Sequence, residues 1–169
     1  MRNLQEKIFE NSLVFYQTHA NELLKGFYFY RPADASEAYR KSKYLKPCDF
    51  WFFDKGFVAI ECKYTKNNRL MNKVIKEHQI ESMNHFKKEG SRSYFIVSLS
   101  FDSRTYKKAE TSSTFAVDVE DYLNFKNNNK KSLFQTEPEL WGGIPLEYKY
   151  GLQIFNLDPI VNEDYRIFA

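Results

Sequence analysis

The chain has 169 residues, a formal net charge of +3 and a hydrophobic share of 43%. This length predicts a single domain, 1–169, with a real core, and the hydrophobic share excludes a disordered chain. No stretch approaches the roughly 18 consecutive apolar residues that a membrane-spanning helix requires. The 25 lysines and arginines are unevenly placed, which permits a nucleic-acid partner without demanding one.

Two features bear on the cellular compartment. Cys48 and Cys62 lack the spacing of a disulfide framework. The opening sequence, MRNLQEKIFENS, is charged and lacks the apolar stretch of a secretory signal. Together they predict a reduced, cytoplasmic protein with no membrane partner.

The N-terminal part of the chain predicts one helix, one short strand and a basic segment. Apolar residues that include Leu4, Phe15 and Leu23 recur at roughly helical spacing over residues 4–25. FYFY at 27–30 then has the composition of a strand. Residues 31–47 are polar, rich in cations and contain a proline near each end, which predicts a protruding basic segment.

A hairpin follows. Residues 48–53 and 57–65 are apolar strands joined by Asp54-Lys55-Gly56, a turn in which the glycine is expected to supply the positive φ. Residues 67–73 are polar and predict a loop.

The remaining pattern predicts alternating helices and strands. Residues 74–89 carry the best helical periodicity, and the continuous apolar run at 93–101 predicts a central strand. A strand is expected at 113–119, a short helix at 119–126, a linker at 127–132, a turn at 141–145 and a C-terminal extension over about 130–169. This order predicts an α/β fold with a central mixed β-sheet flanked by helices.

Charged residues interrupt the apolar hairpin at one end. Alternation along the second strand places Glu61 and Lys63 on one face and Cys62 on the other, and antiparallel pairing brings Asp49 beside them. Paired carboxylates are hard oxygen ligands for Mg²⁺, and a lysine can orient water or stabilise the charge that develops on a phosphate. The cluster predicts metal-assisted phosphodiester hydrolysis. The alternative is a surface salt bridge between Glu61 and Lys63.

The stretch PCDFWFFDKGFVAIECK resembles the Pro-Asp, then (Asp/Glu)-x-Lys pattern of the PD-(D/E)xK nuclease superfamily. With the following polar loop, HQIESM at 78–83 and the apolar strand, it resembles the RecU family of Holliday junction resolvases over residues 46–125 and part of the first helix, and only weakly in the C-terminal tail. This resemblance implies a restriction-endonuclease-like core. It implies that Asp49, Glu61 and Gln79 bind Mg²⁺, for which Mn²⁺ can substitute, and that Lys63 stabilises the transition state. Without the resemblance, the sequence indicates only that Gln79 carries an amide on the surface of a helix.

An acid on the first helix is also implied by the resemblance. Glu6 matches the additional N-terminal acid of the superfamily, Glu10 competes for that role, and an ordinary solvated carboxylate is the alternative. The sequence departs from the family at Pro47, where a hydroxyl residue is expected, and its segment between Arg31 and Lys46 is shorter than the family's protruding stalk.

Basic residues flank the acidic cluster on both sides and predict contacts with DNA phosphates, which would offset the repulsion between the carboxylates and DNA. The alternative is a pair of solvated loops. The candidates for DNA binding are Arg31, Arg40, Lys41, Lys43, Lys46, Lys66 and Arg69.

The expected function is Mg²⁺-dependent cleavage of four-way DNA junctions in recombination and repair. A homodimer is expected because a four-way junction needs two matched cuts, which a two-fold pair of sites supplies. The alternatives are a restriction-type or repair nuclease of the same superfamily, and a non-catalytic DNA-binding module on a nuclease fold.

Overall fold

The computed structural model describes residues 4–24, 28–31, 48–100, 113–128, 131–149 and 151–168. Within these ranges the α-helices are α1 (Leu4–Leu23), α2 (Glu77–Lys88) and α3 (Val119–Asn127). The strands are β1 (Tyr28–Tyr30), β2 (Phe50–Phe53), β3 (Phe57–Thr65), β4 (Arg69–Met71), β5 (Arg92–Leu99), β6 (Thr114–Asp118), β7 (Ser132–Phe134), β8 (Gly143–Pro145), β9 (Tyr148–Lys149) and β10 (Ile154–Phe155). Short 3-10 helices span Asn72–Val74, Pro138–Trp141, Asp158–Ile160 and Glu163–Tyr165.

The central sheet has the strand order β1-β2-β3-β5-β6-β8 in the described residues. The β3–β5 pair is parallel, and the neighbouring pairs are antiparallel. The chain between β3 and β5 contains α2, because a parallel pair requires a long crossover connection. The predicted α/β fold with a mixed, helix-flanked sheet is therefore confirmed.

Strand β3 is buried on both faces along its first half. Val58 and Ile60 belong to the apolar cluster that packs beneath α1, whereas Ala59 belongs to the cluster beneath α2 and α3. Burial decreases after Glu61, and residues 62–65 are only partly covered. The charged end of β3 therefore emerges from the core at a partly open edge, where it can meet a substrate.

The apolar residues at helical spacing on α1 are buried only in part. Leu13 and Ala20 are buried, whereas Leu4, Phe15 and Leu23 are exposed. The buried face of α1 consists of Gln5, Phe9, Ser12, Leu13, Tyr16 and Ala20. These positions recur every three or four residues, as a single helical face requires. Within the described parts of the chain, no helix is long and apolar enough to cross a membrane.

The turn between β2 and β3 also differs in one detail. Lys55 adopts the left-handed conformation, with φ of 65°, and Gly56 does not. The backbone amide of Asp54 donates to the carbonyl oxygen of Gly56 at 3.1 Å, and the Lys55 ammonium pairs with the carboxylate of Asp164. The expectation that glycine supplies the positive φ was wrong.

Strand β4 lies within residues 67–73, where a loop was predicted, and it pairs with β7. Strand β7 begins at Ser132, the last residue of the predicted linker. Leu70 lies opposite Leu133, and both side chains are buried, so a small apolar contact stabilises this second sheet. The predicted helix over 74–89 begins later, at Glu77, because Lys76 is extended.

The residues after 130 contribute to the core. Strand β8 extends the central sheet beside β6, where a turn was predicted over 141–145. A Cβ atom at Gly143 would lie 2.6 Å from the ring of Trp141, so the close approach of β8 to this ring requires a glycine at position 143. Farther on, the backbone amide of Asn162 donates to Asp54 at 2.6 Å, and Arg92 pairs with the same carboxylate. These contacts fasten the C-terminal residues to the β2–β3 turn.

Candidate active site

Asp49 lies immediately before β2 and is held by two hydrogen bonds to β3. Its backbone amide donates to the carbonyl oxygen of Ile60 at 2.9 Å, and its Oδ2 accepts from the backbone amide of Cys62 at 2.8 Å. The antiparallel register, with Phe50 opposite Ile60, produces this placement. The carboxylate is therefore fixed beside the residue that follows Glu61.

Glu61 and Lys63 share the face of β3 that α2 covers. Nζ of Lys63 lies 2.8 Å from Oε1 of Glu61, and their side chains are only 12% and 5% exposed. Burying a charged pair costs free energy unless hydrogen bonds satisfy it. The pair is thus not the surface salt bridge that the sequence left open.

Gln79 connects this pair to the first turn of α2. Its Oε1 accepts from the backbone amide of Lys76 at 3.2 Å, while its Nε2 donates to Oε1 of Glu61. In this arrangement the side chain presents its donor, rather than its oxygen, to the carboxylate. The structure therefore places Gln79 in the cluster, and its role as a metal ligand stays a prediction.

A cleft of about 50 Å³ lies on the opposite face, between α1 and the β2–β3 pair. Glu6 and Glu10, one helical turn apart, both line it together with Asp49. The guanidinium of Arg31 lies 3.7 Å from Oε2 of Glu10 and 5.5 Å from the ring centre of Phe50. The cleft brings the candidate helix acids to Asp49, and the choice between Glu6 and Glu10 stays open.

The thiol of Cys62 lies among these charges. Burial raises its pKa well above 9.0, the negative charges of Asp49, Glu61 and Glu10 raise it further, and Lys63 acts in the opposite direction. Three carboxylates and one ammonium therefore act on the same point at the end of β3. An excess of negative potential at this point favours binding of a cation.

The donor set fits a divalent cation that keeps part of its water shell. In the described residues, no group of three or more histidine, cysteine, aspartate or glutamate side chains is arranged to hold a metal ion. Mg²⁺ is commonly bound by one or two carboxylates, with waters and substrate phosphate completing its octahedron. Asp49 and Glu61 supply two such carboxylates at adjoining positions.

The candidate DNA-binding cations divide into two groups. Arg31 lines the cleft, and Lys66 and Arg69 are exposed just beyond β3. The others lie outside the described residues: Arg40, Lys41, Lys43 and Lys46.

Sequence reasoning missed two contributors to the site. Tyr64 lines the cleft, and alternation from Cys62 would have placed it there. The backbone amide of Cys62 holds Asp49, but no side-chain pattern reports a backbone donor.

Comparison with known proteins adds three findings. Residues 30–157 match the family model for Recombination protein U, RecU, which includes the predicted 46–125 and does not reach the first helix. The structure of Archaeoglobus fulgidus Hjc, a Holliday junction resolvase from an archaeal hyperthermophile, is similar with a TM-score of 0.50 and 19% sequence identity. That similarity covers 82% of this chain and 94% of the Hjc chain, and it confirms the predicted restriction-endonuclease-like fold. Curated proteins give no match. Because the family model covers most of the sequence, the chain belongs to the RecU family of Holliday junction resolvases, which are nucleases.

Proposed function

We propose that this nuclease hydrolyses phosphodiester bonds at four-way DNA junctions through the cluster at the end of β3. The hydrogen bond from the Cys62 amide to Asp49 carries the proposal, because it fixes a second carboxylate beside Glu61 and Lys63. A structural role alone does not require two carboxylates and an ammonium at the partly open end of one buried strand.

Asp49 and Glu61 would hold a divalent cation, Mg²⁺ or Mn²⁺. When bound, such a cation polarises a phosphate oxygen and lowers the pKa of bound water. Gln79 would orient Glu61 through its amide, or bind the ion itself after the amide rotates.

Lys63 would act on the scissile phosphate. Its ammonium is held by Glu61 at the partly covered end of β3, so a phosphate that reaches this end meets a fixed positive charge. A preorganised cation stabilises the charge that develops in the transition state more than the charge of the ground state. Glu6 or Glu10 would contribute a further carboxylate from α1, on the Asp49 side.

Arg31, Lys66 and Arg69, with Arg40, Lys41, Lys43 and Lys46, would bind backbone phosphates of the branched DNA. Two copies of the chain would form a homodimer in the cytoplasm, since paired cuts across a junction need two sites related by two-fold symmetry.

The test is cleavage of a synthetic four-way junction with Mg²⁺, beside duplex and flap DNA of the same sequence. We expect symmetric cuts in the junction, little cutting of the controls and no cutting by the Lys63→Ala variant. Equal cutting of duplex or flap DNA would replace the proposal with a restriction-type or repair nuclease. Junction binding without cleavage in Mg²⁺ or Mn²⁺ would identify a non-catalytic DNA-binding module.

A further inference from the structure

Arg31 places a positive charge inside the cleft that the candidate acids line. It directly follows β1, and its guanidinium lies 3.7 Å from Oε2 of Glu10 and 5.5 Å from the centre of the Phe50 ring. The face of an aromatic ring attracts a cation at this distance, so Phe50 and Glu10 together hold the guanidinium in the cleft. Glu6 and Asp49 line the same cleft. A cation of the protein itself therefore lies among the carboxylates proposed to bind a divalent ion.

The pair between Arg31 and Glu10 is held by charge rather than by a hydrogen bond. A hydrogen bond from nitrogen to oxygen spans about 2.7–3.2 Å, and the two atoms of this pair are 3.7 Å apart. The two side chains are 31% and 22% exposed, so water and salt screen their attraction only in part. A pair of this kind sets the position of a flexible side chain and leaves each partner able to exchange it for a better one.

The proposed reaction offers a better partner to each member of the pair. A guanidinium binds a phosphate through two parallel hydrogen bonds, and Arg31 is the first residue of the basic segment proposed to contact DNA. The carboxylate of Glu10 is a hard oxygen ligand for a divalent cation, whose charge exceeds that of an arginine. Glu10 is also one of the three carboxylates that raise the pKa of the Cys62 thiol, so its charge acts at the end of β3.

We propose that Arg31 couples the binding of the divalent cation to the binding of DNA. The inference rests on the proposed metal-dependent cleavage. Without DNA, the guanidinium stays beside Glu10 and lowers the affinity of the cleft for a divalent cation, because like charges repel. A DNA phosphate draws the guanidinium away from Glu10, and the carboxylates of Glu10 and Asp49 then bind the cation more tightly. By linkage, the cation strengthens DNA binding by the same factor.

An arginine that only contacts DNA gives a different result. Its removal weakens DNA binding and leaves the affinity of the DNA-free protein for a divalent cation unchanged. Removal of an arginine that competes with the cation instead strengthens cation binding in the DNA-free protein. The affinity for a divalent cation in the absence of DNA therefore separates the two roles of Arg31.

The test is a titration of the DNA-free protein with Mn²⁺, in which electron paramagnetic resonance measures free Mn²⁺. We expect Arg31→Gln to bind Mn²⁺ about 5- to 150-fold more tightly than the wild type, the usual range of coupling between two ligands. Arg31→Lys keeps the charge and should stay closer to the wild type. Arg166→Gln, at an exposed arginine after the last 3-10 helix, controls for net charge. Equal Mn²⁺ affinities of wild type and Arg31→Gln, with matching circular dichroism spectra, would overturn the inference.

The same titration tests the pairing with Glu10. In a Glu10→Gln background, Arg31→Gln should tighten Mn²⁺ binding much less, because the guanidinium is no longer held beside a carboxylate on α1. Glu6→Gln is the matched control, since Glu6 lies one helical turn away and lines the same cleft. In that background the effect of Arg31→Gln should be nearly complete. An equal effect in the two backgrounds would mean that Glu10 does not hold Arg31, and the inference would fail.

The coupling itself is measured with a four-way junction in the Lys63→Ala background, where we expect binding without cleavage. The junction should raise the Mn²⁺ affinity at least fivefold more when Arg31 is present than in Arg31→Gln. Equal gains in the two proteins would contradict the coupling.

These measurements separate the inference from the proposed function. If Arg31→Gln binds Mn²⁺ more tightly and the wild type cuts no junction, the inference survives and the proposed junction cleavage fails. If the wild type cuts junctions and the two Mn²⁺ affinities are equal, the cleavage proposal survives and the inference fails. An absence of Mn²⁺ binding in both proteins would overturn the metal site and the inference together.

Discussion

The side-chain amide of Gln79 donates a hydrogen bond to Oε1 of Glu61, and the same oxygen accepts from Nζ of Lys63 at 2.8 Å. One carboxylate oxygen on β3 is thus held by a helix residue and by a strand residue. The backbone amide of Lys76 donates to Oε1 of the same Gln79 amide, so the start of α2 fixes the orientation of the group that holds Glu61.

Substitutions at Gln79 should separate its structural and catalytic roles. Gln79→Glu keeps an acceptor for the Lys76 amide but places a second negative charge beside Glu61, whereas Gln79→Ala removes both hydrogen bonds. We expect cleavage to fall about 10- to 100-fold in both variants, as when partners that orient metal ligands are removed. The alanine variant should lose about 1–3 kcal/mol of unfolding free energy, at about 0.5–1.5 kcal/mol for each of the two hydrogen bonds, whereas the glutamate variant should lose only the bond to Glu61.

Single-turnover cleavage and chemical denaturation measure these effects. Glu81→Gln, an exposed change on the same helix, is the matched control and should behave as wild type. Wild-type cleavage by Gln79→Glu would remove Gln79 from the catalytic cluster.

Lys63→Ala should abolish most cleavage and leave junction binding nearly intact. A cation that acts mainly on the transition state contributes to the rate and little to ground-state affinity. Removal of one such preorganised group costs about 10²- to 10³-fold in rate. The single-turnover rate of Lys63→Ala should therefore fall, while its affinity for the junction in a gel-shift assay stays nearly unchanged. Lys149→Ala, which removes a lysine paired with Glu147, is the control. A parallel loss of affinity and rate would instead assign Lys63 to DNA binding.

The juxtaposition of Asp49, Glu61 and Lys63 could be predicted because it depends on local rules. Strand alternation places Glu61 and Lys63 on one face, and one short hairpin brings Asp49 to β3. The sequence of residues 49–63 is therefore enough to predict that these three side chains lie close together. The β4–β7 pair was missed because its two strands lie far apart in sequence and each has only three residues. No periodicity is detectable over three residues, and the pairing depends on Leu70 meeting Leu133.

The contribution of Gln79 came from family resemblance and not from the pattern of its helix. A polar residue in the first turn of a helix is ordinary, and only the fold places it against Glu61. Strand β8 was missed for a similar reason, since a short Gly-Gly stretch has the composition of a turn until it meets the edge of β6. Local patterns therefore predicted strands β2 and β3 and missed the contacts that depend on distant parts of the chain.

Asp49→Asn should remove the response of the protein to Mg²⁺ even without DNA. The asparagine oxygen can still accept from the Cys62 amide, so the fold should be retained while a charged ligand is removed. Mg²⁺ at 100 times its Kd should raise the unfolding free energy of the wild type by about 2.7 kcal/mol. At the same Mg²⁺ concentration, the unfolding free energy of Asp49→Asn should rise much less. Asp164→Asn, at an exposed aspartate that pairs with Lys55, is the control.

Thermal unfolding with and without Mg²⁺ provides the measurement, and Glu61→Gln should behave like Asp49→Asn. Cleavage at the wild-type rate by either variant in Mg²⁺ would contradict the assignment of these carboxylates.

Asp54 should make the stability of the fold depend on pH in the acid range. Burial raises its pKa above the ordinary value of 3.8, although the Asn162 amide and Arg92 act in the opposite direction. The folded state therefore holds the proton more tightly than the unfolded state. The contribution of Asp54 to stability is full below about pH 3.8 and decreases as pH rises through the raised pKa.

The comparison is between wild type, Asp54→Asn and Asp54→Ala in denaturant titrations from pH 3 to pH 7. The stability of the wild type relative to Asp54→Asn should decrease over this interval and then level off. Asp54→Ala should be less stable than Asp54→Asn by about 1–3 kcal/mol, because the Asn162 amide loses its acceptor. A relative stability that increases with pH would show that the ion pair with Arg92 outweighs burial.

The basic segment of residues 31–47, of which the structure describes only Arg31, should bind phosphates of the junction. Neutralising Arg40, Lys41 and Lys43 together should weaken junction binding, because a protein that neutralises fewer phosphates releases fewer counterions. The slope of log affinity against log salt should decrease by about 0.9 for each phosphate that the variant no longer neutralises. Cleavage of DNA already bound should change far less, since the proposed catalytic residues lie just before β2, on β3 and on α2. Neutralising Lys87, Lys88 and Lys126, near the ends of α2 and α3, controls for net charge. Unchanged affinity and salt slope in the first variant would show that the segment is a solvated loop and that DNA is bound elsewhere.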